Sequence, residues 1–159
     1  MNIRFATQED TPSILMMYRE LFKEMSLLQP NYLREANQDP NFIKETIKSK
    51  KSKLFIAENA EKEICGFGLV LYQTTPPYSC LIPKKLLYLC DLYVCKKARK
   101  QGIAHSMISA IQAYAELLKV DYIELAVLPE NKKAIQLYEK LDYRTTLHTM
   151  KLEIQKTAM

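Results

Sequence analysis

Residues 86–104 read LLYLCDLYVCKKARKQGIA, and they hold two structural elements with the loop that joins them. Leu86 to Val94 is apolar on both faces, as expected of a central strand. A basic turn follows, then Arg99-Lys100-Gln101-Gly102-Ile103-Ala104. From there Ile103, Met107, Ile108, Ile111, Ala115 and Leu118 recur at helical spacing. A buried strand feeding a glycine-containing loop at a helix start suits a bound anion. First-turn N–H groups have no intrahelical acceptor, and the helix dipole favours negative charge there. Gly102 lets the backbone approach a phosphate closely, and Ala104 leaves the helix start uncrowded. Lys96, Lys97, Arg99 and Lys100 add positive charge around the same point.

Upstream, Asn2 to Ala6 alternates and predicts a first strand. Asp10 or Thr11 caps a helix with Pro12 in its first turn, and Ile14, Leu15, Tyr18, Leu21, Phe22 and Met25 follow helical spacing. Asp39-Pro40 repeats the cap-plus-proline signal before a short helix containing Phe42, Ile43 and Ile47. Lys53–Glu58 and Cys65–Tyr72 predict strands joined by a polar turn. Downstream, Tyr122–Val127 is a strand, Asn131 caps a helix, and Tyr143–Ile154 alternates as a closing strand or tight hairpin. The order β-α-α-β-β-β-α-β-α-β predicts an α/β sandwich, a mixed central β-sheet flanked by helices. The stretches 29–38 and 74–83 interrupt it as loops.

The 159 residues fit one domain spanning 1–159. A net charge of +5 suits an anionic ligand but is too small to imply nucleic acid. The lysine clusters at 48–53 and 96–100 lack the interleaved aromatics that an RNA-binding surface needs for base stacking. The four cysteines (Cys65, Cys80, Cys90, Cys95) form no CxxC pair and read as buried, reduced thiols; with two histidines, no metal site is expected. No secretory signal and no apolar run of membrane-spanning length is present, so a cytoplasmic location with no membrane partner is expected.

A second motif lies about thirty residues downstream of the loop: Asn131, Ala134 and Tyr138. Tyr138 sits seven residues after the cap, two helical turns along, so an amide and a phenol project toward a common side. Together, LYVCKKARKQGIA and VLPENKKAIQLYEKLDYR resemble the GCN5-related N-acetyltransferase (GNAT) superfamily. The first matches its strand and pyrophosphate loop (Arg or Gln, two residues, Gly, one residue, Gly or Ala). The second is similar to its closing motif of Asn, Ala, Tyr and a following Gly-Phe. Asp142 and Tyr143 stand where that Gly-Phe is usual, and the opening IRFATQED also resembles the family's start.

The resemblance implies a GNAT-like fold and an N-acetyltransferase that uses acetyl-CoA. It implies that the strand carrying Leu92, Tyr93 and Val94 splays from the 122–127 strand and that pantetheine enters the gap, pairing with backbone around Leu92 and Val94. Arg99, Lys100, Gln101, Gly102, Ile103 and Ala104 form the pyrophosphate loop, with amides from Gln101 to Ala104 as the donors. Asn131 and Ala134 complete the cofactor side. A backbone N–H near Val94 would stabilise the oxyanion, and Tyr138 would protonate the departing thiolate. Many relatives pair through their C-terminal strands, which makes a homodimer an expectation too.

The amine acceptor, a small molecule or a protein, is set by no recognisable code. An alkylamine with pKa near 10.4 is only about one part in a thousand neutral at pH 7, whereas an α-amine near 8 is roughly a tenth neutral. A general base therefore matters most for lysine-like or polyamine acceptors. Asp91, which interrupts an apolar strand, and Glu124 are the candidates, acting directly or through water. Ribosomal-protein N-terminal acetyltransferases of the superfamily place a glutamate where Ala126 stands here, which argues against that activity. The alternative is a non-catalytic acyl-CoA-binding or sensing module on the same fold, although such a module needs no proton donor at Tyr138.

Overall fold

The computed structural model describes residues 1–156. β1 (Asn2–Phe5) leads through a 3-10 turn, Gln8–Asp10, into α1 (Thr11–Leu28) and α2 (Pro40–Lys48). Then follow β2 (Ser52–Glu58), β3 (Ile64–Thr74), β4 (Lys85–Val94), α3 (Ile103–Leu117), β5 (Tyr122–Leu125) and α4 (Lys132–Lys140). The strands form one sheet in the order β1-β2-β3-β4-β5. Every neighbouring pair is antiparallel except β4 and β5, which are parallel.

Local signals account for most boundaries. The Asp39 carboxylate accepts from the Asn41 N–H at 2.9 Å and starts α2 with Pro40 in its first position. Asp10 does not cap α1 through its side chain. It accepts from the Thr7 N–H at 2.7 Å and from Arg4 at 2.8 Å, tying β1 to the head of the helix. Asp142, with φ of 64°, takes the left-handed conformation that ends α4 in place of a glycine.

The core has two layers. On one side of the sheet Ile14, Met17 and Tyr18 from α1 and Ile43 from α2 pack on Leu54, Ile56, Phe67, Leu69 and Tyr93. On the other, Ile103, Met107, Ile111 and Ala115 from α3 pack on Phe55, Ala57, Val70, Leu87, Leu89 and Val94. β4 supplies both layers by a change of phase. Leu69 lies opposite Asp91 and Val70 opposite Leu89, so Cys90 is an extra, bulged residue. Leu87 and Leu89 face α3, Cys90 and Asp91 face α1, and Leu92 faces α3 again. Without the bulge, strict alternation would put the Asp91 carboxylate in the α3 layer with Leu87 and Leu89.

Two expectations are corrected. Residues 143–156 form no regular strand, although their alternation predicts one. Leu147, Met150, Leu152 and Ile154 are 81%, 91%, 85% and 77% exposed, so this apolar series finds no cover among the described residues. A strand needs a partner edge, and the segment instead crosses Tyr32: the Tyr32 hydroxyl donates to Glu153 at 2.8 Å, and the Lys151 ammonium lies 3.8 Å from the ring centroid. The cysteines are free but not uniformly buried. Cys65 is enclosed, Cys90 and Cys95 are half-buried, and Cys80 is exposed because it lies in the loop after β3 rather than in a strand. Among the described residues no helix is long and apolar enough to cross a membrane.

Candidate active site

β4 outruns its neighbour. Its parallel pairing with β5 covers Leu86–Leu89 against Tyr122–Leu125, and β5 stops there while β4 continues to Val94. Beyond the bulge one edge of β4 still pairs with β3, with Leu92 opposite Gly68 and Val94 opposite Gly66. The Cys95 N–H donates to the Cys65 carbonyl at 2.8 Å, on the β3 side. By alternation Leu92 and Val94 therefore turn their N–H and C=O groups to the open edge, and Tyr93 turns its own toward β3. A wedge between β4 and β5 thus leaves the N–H and C=O of Leu92 and the N–H of Val94 without a strand partner, while the Val94 C=O is taken by Arg99.

The loop after β4 closes one end of this wedge. Lys100 and Gly102 hold positive φ of 62° and 78°, and Gly102 caps α3. A Cβ built on Gly102 meets nothing within 4 Å, so the residue is required by its backbone angle and faces open space. The Ser106 N–H reaches the Gly102 carbonyl at 3.0 Å and closes the first turn. The amides of Ile103, Ala104 and His105 precede the helical ladder and remain available to an anion. Lys100, Gln101 and Gly102 are exposed at this point. The loop and the open strand edge fit an extended ligand that ends in a phosphate group.

Arg99 is engaged within the chain. Its Nε donates to the Val94 carbonyl at 2.9 Å, and Nη2 donates to both Glu24 carboxylate oxygens at 2.8 and 3.0 Å. The guanidinium also lies 5.4 Å from the Tyr93 ring centroid. Arg99 therefore braces α1 against the end of β4. Lys96 adds a looser ion pair to Glu24 at 3.8 Å.

Asn131 and Ala134 meet at the head of α4, where the Asn131 Oδ1 accepts from the Ala134 N–H at 3.3 Å. Tyr138 packs with Leu92 against the α3 layer. Its hydroxyl forms no hydrogen bond among the described residues, and burial pushes its pKa up to about 12, with Tyr143 adding to the effect. The phenol is thus protonated and free to donate. Tyr143, 5.6 Å away ring to ring, has an enclosed hydroxyl without a partner.

Asp91 lies on the other face. Its Oδ2 accepts from the Tyr18 hydroxyl at 2.8 Å, and burial raises its pKa while the Tyr18 bond lowers it. Asp91 and Tyr138 therefore do not touch; they flank the wedge from opposite sides of the sheet. Glu124 stands on β5 opposite Tyr88 and is exposed. The sequence pattern marks Asp91 by its polarity but not Tyr18, which reads as one more apolar-face residue of α1. The signal available was that a phenol in a core stripe needs a hydrogen-bond partner. A cavity of about 310 Å³ lined by Lys50, Lys51, Tyr72 and Tyr114 lies toward the far end of α3, remote from this site.

Strand wedge, glycine-capped loop and closing tyrosine make up the fold of an acetyl-transfer protein. The chain belongs to the acetyltransferase (GNAT) family, whose model matches residues 15–143. It is 32% identical over 146 residues to the uncharacterized N-acetyltransferase YhfO of Bacillus subtilis (strain 168), covering 90% of this chain and 89% of that one. A tetramutant of a Bacillus halodurans protein superimposes with a TM-score of 0.92 at 24% identity, over 97% of this chain and 100% of the other. An aminoglycoside acetyltransferase from an uncultured soil metagenomic sample, in complex with sisomicin, gives 0.70 at 16% identity over 98% and 96%. These two structures share the fold.

Proposed function

We propose that the chain is a single-domain, cytoplasmic N-acetyltransferase that moves the acetyl group of acetyl-CoA to a primary amine of a small molecule or protein. The observation that carries this reading is the wedge: β4 continues past β5, so that Leu92 and Val94 have no partner strand on that side, and a short 3-10 turn, Lys96–Ala98, leads from its end to the Gly102 cap. Leu92, Tyr93 and Val94 would hold the pantetheine arm, with Leu92 offering its backbone groups to the arm and Val94 its N–H at the thioester end, the Val94 carbonyl being taken by Arg99. Amides from Gln101 to Ala104, with Lys100 beside them, would hold the pyrophosphate, and Asn131 and Ala134 would fix the end of α4 against the arm.

Acetyl-CoA supplies a thioester whose carbonyl the amine nitrogen attacks directly. Each remaining task falls to a group of the chain. Asp91 takes the proton from the acceptor ammonium on the α1 side of the wedge. The outward N–H of Val94 stabilises the developing oxyanion. Tyr138 donates its phenolic proton to the departing sulfur from the α4 side and regains one, through solvent, as the nitrogen of the adduct gives up its second proton. Base and acid need not touch in this reaction, because the amine nitrogen and the departing sulfur are two different substituents of the tetrahedral carbon and each meets its own group. Arg99 serves this site from within the chain, by holding the Val94 carbonyl and α1 in place.

Tyr138→Phe tests the reading. Turnover should fall at least tenfold while acetyl-CoA affinity stays within about twofold, since the ring remains and only the donor is lost. Unchanged turnover removes Tyr138 from the mechanism.

We also propose that the protein is a homodimer in which residues 147–154 of each copy cover the outer edge of β5 in the other. Three observations support this reading. β5 is an edge strand, α4 contains no fully buried residue, and Met150, Leu152 and Ile154 stand uncovered in alternating positions.

A further inference from the structure

Asp91 is held by one contact from outside the sheet. The bulge at Cys90 rotates its carboxylate toward α1, where the Tyr18 hydroxyl donates to Oδ2 at 2.8 Å. Tyr18 cannot drift: it is 1% exposed, and its ring is wedged between Phe67, at 4.6 Å between centroids, and Phe22, at 5.4 Å. The second carboxylate oxygen, Oδ1, makes no hydrogen bond among the described residues. Nor is it an enclosed orphan, since Tyr143 Oη is the one enclosed side-chain polar atom without a partner among those residues. One oxygen is therefore anchored and the other is open.

We infer that Tyr18 is a positioning residue for the transfer reaction: it pins Oδ2 of Asp91 so that Oδ1 faces the acceptor amine and can take its proton. The inference rests on the reading of Asp91 as the base. Tyr18 also sets how strong that base is. Burial raises the carboxyl pKa, and the phenolic bond, which favours the charged form, opposes it. No cation joins in, for Asp91 takes part in no ion pair among the described residues. From its own strand the titratable neighbours are Cys90 and Tyr88, both pushed up by burial and by the Asp91 charge, so both are neutral. β3 presents only Leu69 opposite, and Glu124 on β5 acts on Tyr88 rather than on Asp91.

The test is the pH dependence of kcat, with acetyl-CoA and a reactive amine saturating, for the parent, Tyr18→Phe and Asp91→Asn. The base works deprotonated, so removing a bond that stabilises the carboxylate must move the acidic limb to higher pH. Tyr18→Phe should turn over more slowly than the parent on the plateau, because the carboxylate is no longer pinned, and should lose on the order of a further tenfold on the acidic side. Asp91→Asn should be slow throughout and lack the limb. If Asp91→Asn loses the limb while Tyr18→Phe overlays the parent, Tyr18 is structural only and the inference fails alone. If Asp91→Asn keeps both rate and limb, Asp91 is not the base and both readings fail. Should Tyr18→Phe not fold, 3-fluorotyrosine introduced at position 18 supplies a stronger donor and should move the limb to lower pH. An unmoved limb would then overturn the inference.

Discussion

Replacing Gly102 by alanine separates the structural and binding roles of the loop. The glycine sits at φ 78°, where an L-residue pays roughly 1–2 kcal/mol. No packing clash adds to this, because the new methyl meets nothing within 4 Å. The stability cost of Gly102→Ala is therefore about 1 kcal/mol, which for a chain of this size lowers Tm by roughly 2–4 °C. The open space around that methyl is where the proposed pyrophosphate would sit, against the amides of Gln101 to Ala104. A methyl group at phosphate contact distance would push the anion off those amides and forfeit one or two charge-assisted hydrogen bonds, about 1.5–3 kcal/mol. Calorimetric titration should then show acetyl-CoA binding weakened at least tenfold, with binding of a pantetheine fragment unchanged. Equal affinity for acetyl-CoA in parent and variant, beside the predicted drop in Tm, would refute the loop as the phosphate cradle.

Three further outcomes are expected. Tyr143→Phe removes an enclosed hydroxyl that has no partner among the described residues, so denaturant titration should show a gain of about 1 kcal/mol in stability; a loss would mean the hydroxyl is satisfied in solution. Asp10 has its pKa lowered, first by the Arg4 hydrogen bonds. Its contribution is thus present above the ordinary carboxylate range and is lost as pH falls through the lower, folded value. Asp10→Asn should cost about 2 kcal/mol at neutral pH and flatten the acid limb of stability, and an unflattened limb would locate the acid sensitivity elsewhere. Light scattering should find the parent dimeric and Met150→Lys/Leu152→Lys monomeric, while a monomeric parent contradicts the exchanged C-terminal segment.

Much of this was legible in the sequence because local chemistry agreed with the fold. Asp39-Pro40 capped a helix, and the basic loop after β4 contains a glycine that the backbone does hold at positive φ. What was hidden depended on register. The bulge at Cys90 cannot be read from alternation in a strand that is apolar on both faces, yet it decides that Asp91 meets α1 and not α3. Tyr18 and Glu24 were equally invisible, since each acts across the fold on a residue more than seventy positions away. The closing segment fails as a strand for another reason. Its alternation is genuine, but the segment runs across Tyr32 and not along the open edge of β5, so its backbone has no strand to pair with.

The most direct test of the account is amine-dependent release of free CoA from acetyl-CoA, measured across polyamines, amino acids, peptides and aminoglycosides. Multiple-turnover release with at least one amine is expected, slowed in both Asp91→Asn and Tyr138→Phe. Tight acetyl-CoA binding with no amine-dependent release across the panel would contradict it and favour a protein that senses acyl-CoA without turning it over.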